Sequence, residues 1–308
     1  MKIISTSEIN KYVNDNVQQF IINSEEKYKK ELSEAADKIY LRSKTNPIVL
    51  ISGPSGSGKT TSALHIEKLL RKRGLPAHTI SMDNYFLPLT KDDDSFPKNS
   101  DGTIDLESPY RLDIPLLKKH MKMLNEYKEI NVPIYDFKTS SRSGYKPLKR
   151  AKNEVIILEG IHALNPLIIG ECKDYATFIY VSVRTRIENK NDDRLHPRLI
   201  RLMRRLCRDM LFRGRILTET FKMFKSVSRG EEEYIMQFKP LADIDIDTFI
   251  PFEASAYRTT IYDDLIKNAD ELKGNFDYDM IVEFLKELKP LPTDLIPSDS
   301  LIREFIGE

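Results

Sequence analysis

Hydrophobic and polar positions follow two different periods along this chain. Within residues 25–43 apolar side chains recur at steps of three and four, at Tyr28, Leu32, Ala35 and Ile39. This spacing predicts an amphipathic helix whose apolar stripe covers a protein core. A partner-binding helix is the alternative, and no second feature of the segment favours it.

Short apolar runs alternate with longer helical stretches from about residue 47 onward, which is typical of a parallel α/β sheet. The predicted strands, all rich in Ile, Val or Leu, are 48–52, 78–82, 155–158 and 177–183. The predicted helices between them are 60–73 and 114–127. Two polar segments, 91–103 and 138–150, are predicted loops, where binding groups are often found. After about residue 253 the pattern becomes helical again.

The composition narrows the class of protein. The chain has 308 residues, and 48 Lys and Arg against 47 Asp and Glu give a net charge of +1. Without a basic excess there is no overall attraction to polyanions, so we expect no nucleic-acid partner. The apolar runs are shorter than the ~20 residues that cross a bilayer, and no secretory signal is recognisable. Two distant cysteines, and histidines without ligand spacing, predict a cytoplasmic protein with no disulfide framework and no caged transition metal.

One motif points to a nucleotide. Residues 53–60, GPSGSGKT, satisfy G-x-x-x-x-G-K-[ST] between a predicted strand and a predicted helix. The glycines allow successive N–H groups to surround phosphate oxygens at the start of the helix. Lys59 would reach the β- and γ-phosphates, and Thr60 would bind Mg²⁺. The candidate nucleotide-binding residues of this P-loop are Gly53, Pro54, Ser55, Gly56, Ser57, Gly58, Lys59, Thr60 and Thr61. The alternative is a glycine-rich turn without a ligand.

Two acidic residues end predicted strands. Asp83 follows the run HTISM, and Glu159 follows VIIL. Ligands of an open parallel sheet bind outside the carboxyl ends of its strands, so both acids should face the P-loop. Glu159 suits Mg²⁺, directly or through water, and Asp83 suits a base that accepts the proton of an attacking hydroxyl. The alternative for each acid alone is a helix cap or a salt-bridged strand end.

Arginines recur at helical spacing in the segment 190–216. They are Arg194, Arg198, Arg201, Arg205, Arg208 and Arg215, with Arg204 and Arg213 beside them. Leu195, Leu199, Leu202 and Leu206 form an adjacent stripe that can bury against the protein. Guanidinium groups match phosphate oxygens, so the segment predicts a mobile, arginine-bearing lid over the P-loop. A solvated basic face or a nucleic-acid patch is the alternative, although a patch is normally accompanied by a basic domain.

Taken together, the motifs resemble those of the phosphoribulokinase/uridine kinase family of P-loop kinases, and more closely its bacterial uridine kinase-like branch. The matching segments, over residues 47 to about 250, are GPSGSGKTT, SMDNYF, DLESPYRLD, PIYDFKTSSR, ILEGIHALNP and RLMRRLCRDMLFRGR. The resemblance implies a P-loop NTPase fold: a parallel sheet flanked by helices, with an arginine-rich lid. It divides the chain into an N-terminal helical extension (1–46), a nucleoside kinase-like domain (47–252, lid about 190–216) and a C-terminal helical segment (253–308).

The resemblance also implies roles for individual residues. Asp83 would be the general base for the nucleoside 5'-hydroxyl, and Glu107, where the family usually has aspartate, would hold ribose hydroxyls. The remaining acceptor-side residues would be Phe86, Tyr135, Phe137, Ser140 and Arg205. Arg205, Arg208, Arg213 and Arg215 would grip phosphates, with Lys59, Arg208 and Arg213 acting in catalysis, and Glu159 would join Thr60 at Mg²⁺.

Three positions depart from the family pattern. Ser140 lies near the place where many uridine-cytidine kinases have a histidine that contacts the pyrimidine. Phe212 stands before RGR, where an acid is common. Only about 46 residues precede the kinase region, whereas the branch often carries a longer region similar to part of threonyl-tRNA synthetase.

The leading hypothesis is transfer of the γ-phosphoryl group of ATP, or GTP, with Mg²⁺, to the 5'-hydroxyl of a nucleoside, with uridine or cytidine expected. The same chemistry on a sugar phosphate or a pantothenate-like alcohol is one alternative. A nucleotide-binding regulator or an RNA-associated ATPase is the other. A small-molecule substrate, no membrane association and a possible homo-oligomer complete these expectations.

Overall fold

The computed structural model describes residues 2–89, 95–99 and 101–307, without the side chain of Glu171. The predicted loop 91–103 therefore lies partly outside the described residues. The described strands are β1 (Ile3–Ser5), β2 (Ile48–Ser52), β3 (Ala77–Ser81), β4 (Glu129–Asp136), β5 (Ser141–Lys149), β6 (Val155–Glu159), β7 (Ala176–Ser182), β8 (Arg186–Glu188), β9 (Arg194–Leu195) and β10 (Ile244–Asp247). The described α-helices are α1 (Thr6–Arg42), α2 (Lys59–Lys72), α3 (Ile114–Asn125), α4 (Pro166–Ile169), α5 (Pro197–Arg213), α6 (Leu217–Tyr234), α7 (Glu253–Lys267), α8 (Ala269–Leu272), α9 (Phe276–Glu287) and α10 (Arg303–Ile306).

A five-stranded parallel sheet forms the centre, in the order β10-β7-β2-β6-β3. Every residue of β2, β6 and β7 is buried, as expected for strands covered on both faces. The four predicted strands are present within a residue or two of their predicted bounds. The predicted α/β fold with a parallel sheet is therefore confirmed. The pattern did not predict β10, whose sequence IDID alternates apolar and acidic residues over only four positions.

Helices cover both faces of this sheet. Successive residues of a strand point to opposite faces, so Val49 and Ile51 belong to one buried cluster and Ile48 and Leu50 to the other. The first cluster contains buried side chains of α1, α2, α5, α7 and α9, and the second contains those of α3. The stripe predicted for residues 25–43 lies in the first cluster, which confirms that this helix covers the core.

Helix α1 is longer than its predicted segment. It begins at Thr6, after Ser5 accepts a hydrogen bond from the Glu8 N–H at 3.1 Å, and it contains a break at Asn16, with φ −163° and ψ 88°. Asparagine competes with helical hydrogen bonding, so the asparagine-rich first half shows little helical pattern in sequence.

The predicted loop 138–150 is wrong for most of its length. Residues 141–149 form β5, which pairs antiparallel with β4 from Glu129↔Lys149 to Asp136↔Ser141. A two-stranded ribbon can leave both faces open to solvent, so its strands need no apolar alternation. Most of β5 is exposed or half-buried accordingly. The turn between the strands contains Ser140 at φ 51°.

The C-terminal segment returns to the sheet. Helices α7 and α9 confirm the predicted helical pattern, and residues 300–307 then fold back towards the loop after β2. Leu301, Ile302 and Phe305 are fully buried in the first cluster. No helix in the described ranges is both long and apolar enough to span a membrane.

Candidate active site

The P-loop connects β2 to α2 in a conformation that requires glycine. Gly56 and Gly58 have φ of 71° and 80°, and at Gly53 a Cβ would lie 2.0 Å from the carbonyl oxygen of Val181. Gly58 is the N-cap of α2 and has no side chain with which to cap the first amide groups of the helix. Those N–H groups and the positive end of the helix dipole can therefore bind an anion.

A cavity of about 980 Å³ opens over this loop. It brings together most residues predicted for the site: Ser55, Gly56, Gly58, Lys59, Thr60, Asp83, Phe86, Glu107, Tyr135, Phe137, Ser140, Glu159, Arg205, Arg208, Arg213 and Arg215. Gly53, Pro54, Ser57 and Thr61 belong to the same loop and helix start but do not line the cavity. The single cavity contains phosphate-binding, acidic and aromatic regions.

Lys59 lies on the floor of the cavity. Its Nζ donates a hydrogen bond to the Pro54 carbonyl at 3.1 Å, and the side chain is buried. Burial lowers the pKa of Lys59, while the nearby carboxylates, Glu159 and Asp83 foremost, raise it. The two carboxylates therefore offset part of the free-energy cost of burying the charged form of Lys59.

Asp83 and Glu159 converge at the carboxyl ends of neighbouring strands. Asp83 is the second residue after β3. Glu159 is the last residue of β6 and lies opposite Ser81, the last residue of β3. Burial raises the pKa of both carboxyls, and Lys59 is the largest influence that lowers them. The position of both acids beside the P-loop agrees with the expectation from the sequence.

The donor chemistry at this point fits Mg²⁺. Glu159 and Thr60 both line the cavity beside Lys59, and the interactions of Glu159 with Ser81 and Thr60 oppose the effect of burial on its pKa. Magnesium prefers oxygen ligands and typically uses one or two protein groups together with substrate phosphates and water. Thr60 and Glu159 are the residues that would hold the ion.

Four arginines surround one buried aspartate at the end of α5. Asp209 is fully buried, and the shortest nitrogen–oxygen distances to it are 3.4 Å from Arg205, 3.5 Å from Arg208, 3.3 Å from Arg213 and 3.4 Å from Arg215. One carboxylate cannot neutralise four guanidinium groups. The cluster therefore presents net positive charge to the cavity, as phosphate binding requires.

The other arginines of the predicted stripe do not reach the cavity. Arg194 lies in β9 rather than on the helix, where it pairs with Glu188, so the prediction of a single helical stripe is wrong at this end. Arg198 pairs with Asp277 of α9. Arg201 and Arg204 are buried in ion pairs beneath the P-loop. The predicted leucine stripe is buried, so α5 packs into the core along this face.

An aromatic cluster borders the opposite end of the cavity. The ring centroids of Phe86, Tyr135 and Phe137 lie 5.2 to 6.2 Å from one another in edge-to-face contacts. Tyr135 is the last residue but one of β4, and Phe137 lies in the turn of the hairpin. The hairpin that sequence analysis missed is thus the element that presents these rings. The Leu89 N–H donates to the Ser140 carbonyl at 2.9 Å, which attaches the turn to the body of the protein.

Glu107 faces the cavity from the loop after residue 101. Burial raises its pKa to about 7, with Glu231 adding to the effect and Arg205 opposing it. The backbone of Gly230 in α6 packs against this side chain, since a Cβ at Gly230 would lie 2.3 Å from the Glu107 Cβ.

Three contributors were missed from the sequence. Asp209 lies inside the arginine motif but was not singled out, although a lone acid among arginines is a recognisable signal. Glu304 comes from the C-terminal tail, residues 300–307. It lines the cavity and accepts a hydrogen bond from the Thr61 hydroxyl at 2.5 Å. Glu231 supports the P-loop from α6. Neither glutamate has a sequence signal, because both act across long separations.

A phosphate-binding loop, an acid within its reach and a cluster of arginines in one cavity define a P-loop kinase site. A model of the phosphoribulokinase/uridine kinase family matches residues 48–251. The chain belongs to this family, as its motifs indicate, and is a phosphotransferase.

The uridine kinases among the individual relatives agree with this assignment. A uridine kinase of Lactobacillus johnsonii is 31% identical over 214 residues, covering 66% of this chain and 87% of the relative. The Arabidopsis thaliana inorganic pyrophosphatase TTM2 is 41% identical over 128 residues, covering 41% of this chain but 17% of the relative. A fructose transport system kinase structure from Silicibacter sp. TM1040 has a TM-score of 0.51 at 18% identity, covering 70% of this chain and 98% of that one, which supports the fold alone.

Proposed function

We propose that this enzyme transfers the γ-phosphoryl group of ATP, with Mg²⁺, to the 5'-hydroxyl of a nucleoside, uridine or cytidine. The observation that carries the proposal is that Asp83, the P-loop residue Lys59 and the acceptor-side aromatic residues line one cavity, with Lys59 near enough to lower the pKa of Asp83. Similarity to uridine kinases over most of their length supports a nucleoside as the acceptor.

The charges are arranged for phosphoryl transfer. Phosphates in the P-loop would meet the N-terminus of α2 and Lys59 on one side, and Arg205, Arg208, Arg213 and Arg215 on the other. Such fixed donors stabilise the charge that spreads over the transferring group. A bound Mg²⁺ would neutralise phosphate charge at Thr60 and Glu159. Asp83 would orient the attacking hydroxyl and accept its proton.

The acceptor side suits a flat base joined to a sugar. Phe86, Tyr135 and Phe137 offer ring faces and edges for packing, and the Glu107 carboxylate can accept hydrogen bonds from ribose hydroxyls. Ser140, near where relatives have histidine, leaves the choice of base to be measured. It also favours a second candidate, the same transfer to another alcohol such as a sugar phosphate.

A panel of acceptors tests the proposal. Uridine, cytidine, other nucleosides, sugar phosphates and pantothenate-like alcohols would each be incubated with ATP or GTP and Mg²⁺, with ADP or GDP release measured. We expect turnover above background with uridine or cytidine. Turnover with a sugar phosphate alone would favour the second candidate, and hydrolysis stimulated by RNA but insensitive to every alcohol would contradict both.

Substitution of the proposed base provides the matching control. Asp83→Asn should abolish turnover while the enzyme still binds ADP, because the P-loop is unchanged. Lys59→Ala should lose both. Normal kcat in Asp83→Asn would remove the base assignment.

We also propose a cytoplasmic location. The two cysteines, which are free and buried, support it.

A further inference from the structure

The backbone of Ser55 in the P-loop is held at both its N–H and its carbonyl by one ion pair. Its N–H donates to Glu231 Oε1 at 2.9 Å, and its carbonyl accepts from Arg201 Nη1 at 2.9 Å. Arg201 in turn donates to both oxygens of Glu231, at 2.6 and 2.8 Å. Arg201 belongs to α5 and Glu231 to α6, so two consecutive helices meet at a P-loop residue from which these side chains are 146 and 176 positions away in sequence.

The ion pair between Arg201 and Glu231 is almost completely buried. The Arg201 side chain is 6% exposed and that of Glu231 is 1% exposed. Hydrophobic replacement of a buried ion pair is often neutral or stabilising, so stability alone does not account for charges at this place. The bidentate geometry fixes both side chains and therefore fixes the peptide between them.

Neighbouring P-loop carbonyls are held in the same manner. Arg204 Nη1 donates to the Gly56 carbonyl at 3.0 Å, and the Thr248 hydroxyl donates to the Ser57 carbonyl at 2.7 Å. The outer side of the loop is thus bonded to the body of the protein.

The same turn of α6 contacts the acceptor side. Gly230, the residue before Glu231, packs against Glu107. Arg229 forms an ion pair with Asp105 at 3.5 Å, and the Tyr234 hydroxyl donates to Asp105 at 3.1 Å. The last turns of α6 therefore touch both the P-loop and the loop that bears Glu107.

We propose that Glu231 and Arg201 are positioning residues that hold the P-loop backbone in the conformation that binds the donor phosphates. Through α6, they also fix the position of the P-loop relative to Glu107. This inference rests on the proposed function, since it requires nucleotide phosphates in the P-loop. Neither residue touches the reacting atoms. Both act through the Ser55 peptide.

The test separates positioning from stability. The double variant Arg201→Met/Glu231→Leu removes both charges and keeps apolar volume, so the folded state should retain its thermal stability. Its peptide contacts are lost, and the dissociation constant for ADP, measured by calorimetry, should rise about 10- to 100-fold, as expected for loss of charged hydrogen bonds. The matched control Arg198→Met/Asp277→Leu removes another ion pair of α5 away from the P-loop. It should bind ADP normally.

Glu231→Gln, which keeps the size and polarity of the side chain, decides the question in the same assay if the double variant does not fold. We expect its ADP dissociation constant, measured well below its unfolding temperature, to rise about tenfold, while its thermal stability should fall because Arg201 loses its charged partner. Normal ADP binding by a folded variant of the pair would overturn the inference alone. Absence of ADP binding by the unaltered chain would overturn the proposed function and the inference with it.

Discussion

Glu107 shows how burial sets the working charge of a single residue. Its pKa is raised to about 7, so it is largely protonated below neutrality and ionised above. Only the ionised form accepts hydrogen bonds at both oxygens. We expect kcat/KM for the nucleoside to rise with pH through about 7 and then level off.

The variant Glu107→Gln checks this assignment. It cannot ionise, so the rise of kcat/KM near pH 7 should disappear. KM for the acceptor should increase at pH 8, where the unaltered residue is charged. An unchanged pH profile of kcat/KM in this variant would assign the rise near pH 7 to another group.

Gly230 is a residue whose lack of a side chain matters for its neighbour. A Cβ there would overlap the Glu107 Cβ, so Gly230→Ala must displace that side chain. We expect KM for the acceptor to rise about tenfold, corresponding to roughly 1.4 kcal/mol. The ADP dissociation constant should change less. Gly144→Ala, at a glycine with open space around it, is the control and should keep normal kinetics.

Residue-level prediction succeeded where chemistry follows a local motif. The P-loop residues and the acids at strand ends could be placed because spacing and the carboxyl edge of a parallel sheet determine their neighbourhood. Glu231 and Glu304 could not be placed, because their contacts to Ser55 and Thr61 depend on how helices pack. The charge pattern correctly marked the arginines as a group, but only packing separates the four around Asp209 from those in buried ion pairs.

Among the elements, the C-terminal tail has the least expected role. Its Leu301 side chain packs against the P-loop, with Cδ1 2.6 Å from where a Cβ of Gly58 would lie, and it is fully buried. Leu301→Ala should lower the free energy of unfolding by about 2–5 kcal/mol, through lost burial and a cavity. Chemical denaturation would measure this change. Leu41→Ala, at a leucine that is 80% exposed, should change stability by no more than about 0.5 kcal/mol, and an equal loss in both would contradict the packing argument.

An element could be predicted only where its burial leaves a recognisable pattern of apolar residues in the sequence. The strands of the central sheet are buried on both faces and appear as apolar runs. The hairpin strand β5 is mostly exposed, so its composition resembles that of a loop, and β9 is too short to show a period. The hairpin nevertheless carries Tyr135 and presents Phe137, so the element hardest to predict borders the acceptor side.

At the scale of the whole molecule, the charges that matter are local. The net charge of +1 is the sum of opposite local charges, since an arginine cluster and several carboxylates line one cavity. The sheet topology brings them together, because β2, β3 and β6 are adjacent and end at the same edge. The arrangement could be anticipated from the family resemblance, and the packing of residues 25–43 from their apolar stripe, whereas the return of residues 300–307 to the P-loop could not.

That packing has a thermodynamic consequence for the division into 1–46, 47–252 and 253–308. Buried side chains of α1, α2, α5, α7, α9 and the tail form one cluster on one face of the sheet. Segments that share a core lose their stability together, so we expect one cooperative unfolding transition, with calorimetric and van't Hoff enthalpies in agreement. ADP at 100 times its dissociation constant should shift the whole transition by about 2.7 kcal/mol, because the P-loop is bonded to both α5 and the tail. A separate early transition that ADP leaves unmoved would instead show that a terminal segment folds as its own unit.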